Sequence, residues 1–444
     1  MNKNLEKWAE AQFEGLNLGD KRLNKRAQLI ARNMMKKPSA SINMQSENWS
    51  ESKGAYRFFD SEKVSFQELI KPHIECVKAK ANSLELVLAI QDTCYISYGH
   101  HSSVTDLGHI GAEDTSGVIL HNTLAVNPSS KHPSVIGVLD QWIHNRKDMK
   151  DDNWKETNLW QEASSRINID VTKTRVVEVM DREGSVFDIM KQSLSLRHEF
   201  LIRTKSNKYV RNPFRHQIIE VGSKITAAGH IEIDVQKKEG QKKRKATLEI
   251  KYLPIEVPGP HGRKDESINC SLVQAVEVNS PENQEPLSWY LLTSVEVNSI
   301  KDALKVIEWY KYRWVIEEYH KCIKTGCKVQ SKQFRSSFRI ENYLGIAGII
   351  AVKLLQIRDL MRINPDELAC KVVDQLSLKI IQKYHKIDKE LTIKEFYILV
   401  AKMGGFLNRK SDGDPGWQTL WKGQLQLFWM VEGAKILLGD ETYG

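Results

Sequence analysis

The residues best suited to chemistry stand on one predicted helix. From about Ile300 to Thr325 the spacing is helical, with Tyr310, Arg313, Glu317 and Lys324 at offsets 0, 3, 7 and 14 along it. At about 100° per residue, these four fall within a sector of about 60°. Lys321 lies on the same stripe, while Val315, Ile316 and Ile323 lie off it and can pack inward. A polar stripe is commonly the solvated side of a helix. One carboxylate flanked by three cations and a tyrosine is an uncommon composition for that role, and it suits a group that binds Mg²⁺ beside groups that bind phosphate.

Two more carboxylates occupy comparable positions. Asp92 follows the nearly continuous apolar run Leu84 to Ile90, and Asp181 follows the β-branched run from Thr174 to Met180. Each therefore reads as an acid at the end of a buried strand. Mg²⁺ prefers oxygen ligands, keeps several waters and takes one or two carboxylates plus substrate phosphate. Two such ions about 3.5–4 Å apart can activate a nucleophile and stabilise a leaving oxygen. Asp92, Asp181 and Glu317 together thus point to phosphoryl transfer with two Mg²⁺ ions, Mn²⁺ being able to substitute, and with Asp92 as the bridging ligand.

The elements that must position them follow from the periodicity. Strands are expected to Ile90, at His121 to Val126, at Ser134 to Ile143, to Met180 and at Glu199 to Thr204. Helices are expected at about Asn153 to Ile167 and before the last strand. Three strands, helix, strand, helix, strand is the ribonuclease-H-like α/β arrangement, a mixed sheet with helices on its faces. A β insertion at about 206–285 interrupts it, marked by alternation around Leu248, Ile250 and Tyr252 and by Pro254, Pro258 and Pro260. Within that insertion a basic run includes Lys242, Lys243, Arg244 and Lys245; a solvated hairpin tip and a phosphate-contacting arm both fit it. Residues 1–70 read as an N-terminal helical domain, 71–360 as the catalytic domain and 361–444 as a C-terminal helical domain. Asp20 is the expected N-cap of a helix that carries Arg22 and Arg26 on one face.

With 65 basic and 56 acidic residues, the net charge of +9 is compatible with a nucleic-acid partner without requiring one. The six cysteines include no C-x-x-C pair and read as free thiols of a reducing cytoplasm. His320, Cys322 and Cys327 lack a fourth zinc ligand. The apolar run Leu344 to Leu355 is short and contains Lys353, so it reads as a buried helix and no membrane partner is expected.

Gln91-Asp92-Thr93, Asp181-Arg182-Glu183 and Tyr310-x2-Arg313-x3-Glu317-x6-Lys324 resemble the motifs of bacterial cut-and-paste DDE transposases of the IS four family. The likeness extends through Gly54-Ala55-Tyr56-Arg57-Phe58 near the start and Trp289-x-Leu291-Leu292-Thr293 before the signature helix. It reaches Gly404-Gly405-Phe406 with Trp417 and Trp421 near the end. The resemblance implies that Asp92, Asp181 and Glu317 hold the metal ions, and that Tyr310, Arg313, Lys321 and Lys324 hold phosphates of the transposon end. It further implies that Trp289 stacks on a flipped base, that Trp314 helps order the distorted end, and that Arg203 and Lys205 contact end DNA. The implied partners are double-stranded DNA and a second copy of the chain, dimerising through helices after about residue 370 in a bacterial, nucleoid-associated setting. The family has adjacent arginines where this chain has Arg22 followed by Leu23, so a different terminal sequence is implied. The alternative function is a non-cutting DNA-binding regulator or a domesticated element; the intact triad stands against the domesticated element, and the N-terminal basic helix against a truncated inhibitor.

Overall fold

The computed structural model describes residues 2–111, 115–128, 132–148, 154–212, 215–235, 244–282, 284–410 and 412–438. Its strands are β1 (Leu86–Ser97), β2 (Gly108–Ile110), β3 (Thr115–Asn127), β4 (Ser134–His144), β5 (Arg175–Met180), β6 (Glu199–Arg203), β7 (Tyr209–Arg211), β8 (Arg215–Gln217), β9 (Gly229–Val235), β10 (Arg244–Pro258), β11 (Ser267–Val278) and β12 (Ser288–Thr293). The order β4-β3-β1-β5-β6 is antiparallel on one side of β1 and parallel on the other. Helices Thr157–Arg166 and Phe187–Ser195 make the crossovers between β4, β5 and β6. The fold is a ribonuclease-H-like mixed sheet flanked by helical N- and C-terminal regions.

In β1, Val87, Leu88, Ala89 and Ile90 have no solvent exposure, which explains why the strand reads as an unbroken apolar run rather than an alternating one. Asp92 does not end the strand, as the sequence suggested. The parallel ladder with β5 stops at Ile90↔Val179, but the antiparallel ladder with β3 continues to Ser97↔Gly117. A polar residue can occupy the middle of β1 because β5 has already ended beside it. Asp181 is the first residue past the end of β5.

The predicted single helix over residues 300–325 is three segments: Ile300–Lys311, Trp314–Lys321 and a π-helical turn Cys322–Gly326. Tyr312 and Arg313 keep right-handed helical dihedrals, and Val315 and Ile316 donate three residues back, to the Tyr312 and Arg313 carbonyls. The path is thus tightened at Arg313 and widened at Cys322.

The β insertion is continuous with the central sheet rather than a separate one. β12 pairs antiparallel with β6, β11 pairs with β12 and β10 with β11. The edge that β6 would otherwise present is thereby covered. Residues Lys242 and Lys243 lie outside the described residues.

One apolar cluster runs from Phe13 through Phe58, Leu88, Ile316 and Leu344 to Val431, so the helical ends share a core with the sheet. The boundaries drawn at 70 and 360 fall inside helices Phe66–Ala81 and Ser337–Ile363. The latter contains the buried run Leu344 to Leu355, and among the described residues no helix is long and apolar enough to cross a membrane. Buried Arg358 on this helix pairs with Glu318 and Asp359, and Asp359 Oδ2 accepts from the Val135 N–H at 3.1 Å. The helix is tied in this way both to the signature segment and to β4.

Helices Ile393–Met403 and Trp417–Leu437 approach backbone to backbone. A Cβ on Gly423 would lie 1.7 Å from the Val400 carbonyl oxygen, and one on Gly404 would lie 2.0 Å from that of Thr419. Gly405 follows at φ +95°, closing the first helix in the left-handed region. Gly423→Ala should therefore force the two helices apart and destabilise the chain by about 1–3 kcal/mol, read as a lowered chemical-denaturation midpoint. A wild-type midpoint in that variant would contradict the close approach.

Candidate active site

The sheet and the segmented helix meet at Asp92. Arg313 directs one guanidinium nitrogen to Asp92 Oδ2 at 3.2 Å and the other to Glu317 Oε1. Asp92 Oδ1 accepts from the Thr93 N–H at 2.9 Å, and Asp181 Oδ1 accepts from the Glu183 N–H at 2.8 Å, which fixes both rotamers against their own backbone. Burial pushes the Asp92 carboxyl up to about 7; Asp181 and Glu317 push it the same way, and Arg313 opposes them. Asp92, Asp181 and Glu317 therefore act on one another electrostatically, although 225 residues separate the first from the last.

An all-carboxylate set fits Mg²⁺ or Mn²⁺ chemically, and a site whose neighbouring acids help raise the Asp92 pKa is short of positive charge. Among the described residues no three such groups converge closely enough to hold an ion as they stand. Arg313 occupies the space between two of them.

The remaining stripe residues divide into those brought to the site and those left outside it. Burial holds the Cys94 thiol, two residues along β1 from Asp92 and on the same face, up at about 11, and the Lys324 ammonium on the π-helical turn opposes that rise. Tyr310 is buried near Arg313 and Arg203; burial raises its phenol pKa, and the two guanidinium charges oppose the rise. Arg203 also donates to the Ser288 carbonyl at 3.0 Å, while its Nε is buried with no hydrogen-bond partner among the described residues. Half-buried Trp289 meets the Tyr310 ring edge-on, centroids 6.1 Å apart. Lys321 and Lys205 are exposed, as is Trp314 at 62%.

Outside the cluster, Arg22 is exposed and pairs with Asp20 at 3.2 Å, the residue that caps its helix as the sequence suggested. The Arg26 guanidinium rests on Gly54, where a Cβ would lie 2.9 Å from its Cζ. Within the basic run, Lys245 is exposed and pairs with Glu232 at 3.2 Å. Arg244 departs from the expectation of a solvent-facing phosphate contact: both guanidinium nitrogens engage buried Glu277, so it braces the hairpin. Cys322 and Cys327 are buried thiols, with Cys327 raised to about 12 by burial, and His320 is held neutral by burial at about 3.

Two buried polar chains that the sequence reading missed hold the acids in place. Gln91 donates to Glu178 Oε2 at 2.8 Å, Ser164 donates to the same oxygen at 2.5 Å, and His198 Nδ1 lies 2.7 Å from Oε1. On the other side His121 lies 2.9 Å from the Thr93 hydroxyl and 3.3 Å from Gln91. Both neighbours of Asp92 are thus anchored. The second chain ties β3 and β4 to the signature helix: Gln141 donates to Asn122 Oδ1 at 2.6 Å and to the Tyr319 hydroxyl at 2.8 Å, and Asn122 donates to His320 Nε2 at 3.0 Å. A visible signal existed for the first. Glu178 is a lone acid inside the apolar strand Val176-Val177-Glu178-Val179.

The raised Asp92 pKa has a stability consequence. Between the ordinary carboxylate range and about 7 the folded chain holds a proton that the unfolded chain has lost, so this group makes stability fall as pH rises through that window. Asp92→Asn removes the effect. In metal-free buffer the variant should gain on the wild type by on the order of 2–4 kcal/mol between pH 4 and pH 8, measured by denaturation at each pH. A difference that does not change with pH would contradict the burial of an ionisable Asp92.

Three family models match successive stretches of the chain: Transposase DNA-binding at residues 5–64, Transposase DDE domain at 153–352 and Transposase Tn5 dimerisation domain at 349–441. The second contains Asp181 and Glu317 and begins after Asp92. Among solved structures, a cryo-EM structure of the piggyBac transposase synaptic complex with hairpin DNA matches at 9% identity and a TM-score of 0.33, covering 81% of this chain and 59% of that one. The chain spans less than two thirds of that protein's length, and a likeness this loose has no bearing on the site. The three family models, in the order that the N-terminal helices, the sheet and the C-terminal helices follow, show that this chain belongs to the Tn5-like DDE transposases of the IS four family.

Proposed function

We propose that this chain is a DNA transposase that binds transposon ends, cuts them and joins the freed 3′-OH ends to target DNA by phosphoryl transfer at Asp92, Asp181 and Glu317. The observation that supports this reading is the meeting of Glu317 and Arg313 with Asp92, which brings a guanidinium suited to phosphate together with carboxylates suited to metal. When bound, two Mg²⁺ ions would activate the attacking oxygen and stabilise the leaving one.

The protein's own groups bind and orient. Tyr310, Arg313, Lys321 and Lys324 hold the phosphates flanking the scissile bond, and Arg203 and Lys205 extend that grip along the end DNA. First-strand cleavage frees a 3′-OH, which attacks the opposite strand to give a hairpin; the hairpin is reopened by water, and the 3′-OH then attacks target DNA. Each step is an in-line displacement at phosphorus, so one set of residues serves all. Trp289, edge-on to Tyr310, stacks on the base that tight hairpin geometry expels, and exposed Trp314 orders the distorted end.

Residues 1–70, with Arg22 and Arg26, form the end-binding part, 71–360 the catalytic part and 361–444 the dimerisation part. The match to a dimerisation domain and the exposed Trp429, Ile436, Leu437 and Leu438 on and beside the last helix support a dimer on two DNA ends. Lys242, Lys243 and Lys245 contact DNA backbone, while Arg244 is engaged with Glu277.

With Mg²⁺ and duplexes carrying the element's own ends, Glu317→Ala should cut DNA about a thousandfold more slowly or worse, scored on denaturing gels. Full cleavage in that variant would sink the triad assignment. Trp289→Ala should leave first-strand nicking near normal while hairpin yield drops by about tenfold, as loss of one stacking contact predicts. If nicking and hairpin formation fall together, Trp289 has no special part in the second step.

A further inference from the structure

We propose that Arg313 is a stand-in cation: it holds the metal-free site together and must release Asp92 and Glu317 before both can ligate metal, and DNA phosphate is what draws it off. This rests on the reading of Asp92, Asp181 and Glu317 as the metal set.

The geometry makes the two uses of Arg313 exclusive. Its guanidinium directs one nitrogen to Asp92 Oδ2 at 3.2 Å and the other to Glu317. Those N–H groups take carboxylate lone pairs that a metal ion would need. A dication placed between the same acids would also meet the fixed charge of a guanidinium, which cannot shed its proton. The side chain is only 16% exposed, so water screens that repulsion poorly. Metal affinity without DNA is therefore held down by the arginine.

A destination for the released guanidinium is built beside it. Arg203 and Arg313 lie close enough to act on one another and on Tyr310 electrostatically. The Arg203 Nε is buried and has no hydrogen-bond partner among the described residues. A buried unmet donor is costly, and an anion entering between Arg203 and Arg313 would satisfy it. A phosphate diester matches the arginine fork at least as well as two carboxylates do. Once Arg313 turns to phosphate, Asp92 and Glu317 are left as acids without a cation, and metal becomes the group that satisfies them. Linkage makes this reciprocal: DNA raises metal affinity by the factor by which metal raises DNA affinity. A transposase loaded in this order would keep an inactive site until its substrate arrives.

The test is Mn²⁺ binding to the full chain, read from the electron paramagnetic resonance of the free ion. The wild type, Arg313→Gln, Arg313→Lys and Glu317→Gln are compared with and without a duplex of the element's own terminal sequence. Without DNA, Arg313→Gln should bind Mn²⁺ about tenfold tighter than wild type. With DNA the wild type should gain about tenfold, while Arg313→Gln gains little. Arg313→Lys keeps a charge but cannot fork to two acids, and should fall between, which serves if the glutamine variant does not fold. If both Arg313 variants bind Mn²⁺ no tighter than wild type while Glu317→Gln loses binding, the triad stands and Arg313 is not the gate. If Glu317→Gln binds like wild type, the metal assignment fails and the role of Arg313 falls with it.

Discussion

Asp92 and Glu317 approach one another with like charges, and the guanidinium placed between them offsets that repulsion. Arg313 supplies that cation from the helix that also carries Glu317, four residues away. Burial and neighbouring acids still push the Asp92 carboxyl up to about 7, so the compensation is incomplete. The site is best described as one short of positive charge. That deficit makes the arrangement costly to hold and favours the uptake of a cation.

Holding such groups in register requires a frame that does not yield. The buried chains around Glu178 and around Gln141 and Asn122 provide it, because almost every polar group in them has found a partner inside the protein. A satisfied buried network specifies one arrangement; the same residues left half-paired would be destabilising. One chain fixes both neighbours of Asp92, and the other fixes the signature helix to β3 and β4. The Arg358 pairs then lock that helix to the long buried Ser337–Ile363 helix.

The extension of the sheet through β12, β11 and β10 has a functional side. It places Trp289 on the strand beside β6, where Arg203 reaches back to the Ser288 carbonyl and Tyr310 joins the two. A segment that reads as an interruption in the chain thus lies in the sheet beside the site. Arg313 in turn reaches Asp92 on β1 from the tightened turn where the signature helix changes segment.

Local pattern was enough to show that Asp92 and Asp181 adjoin buried strands, that Glu317 shares a helical face with phosphate-binding types, and that the order of elements is ribonuclease-H-like, because the two- and 3.6-residue periods are properties of the chain itself. The same holds for the Asp20 cap. Tertiary structure alone decided that β1 continues past Asp92, since strand length depends on two partners of different extent. It also decided that the insertion joins the main sheet, that Arg244 turns inward to Glu277, and that Glu178 gathers Gln91, Ser164 and His198 around it. These depend on which distant segments meet, and no spacing along the chain carries that information. Above all, it decided that Arg313 lies between two of the acids, a contact between residues 221 positions apart that joins β1 to the signature helix.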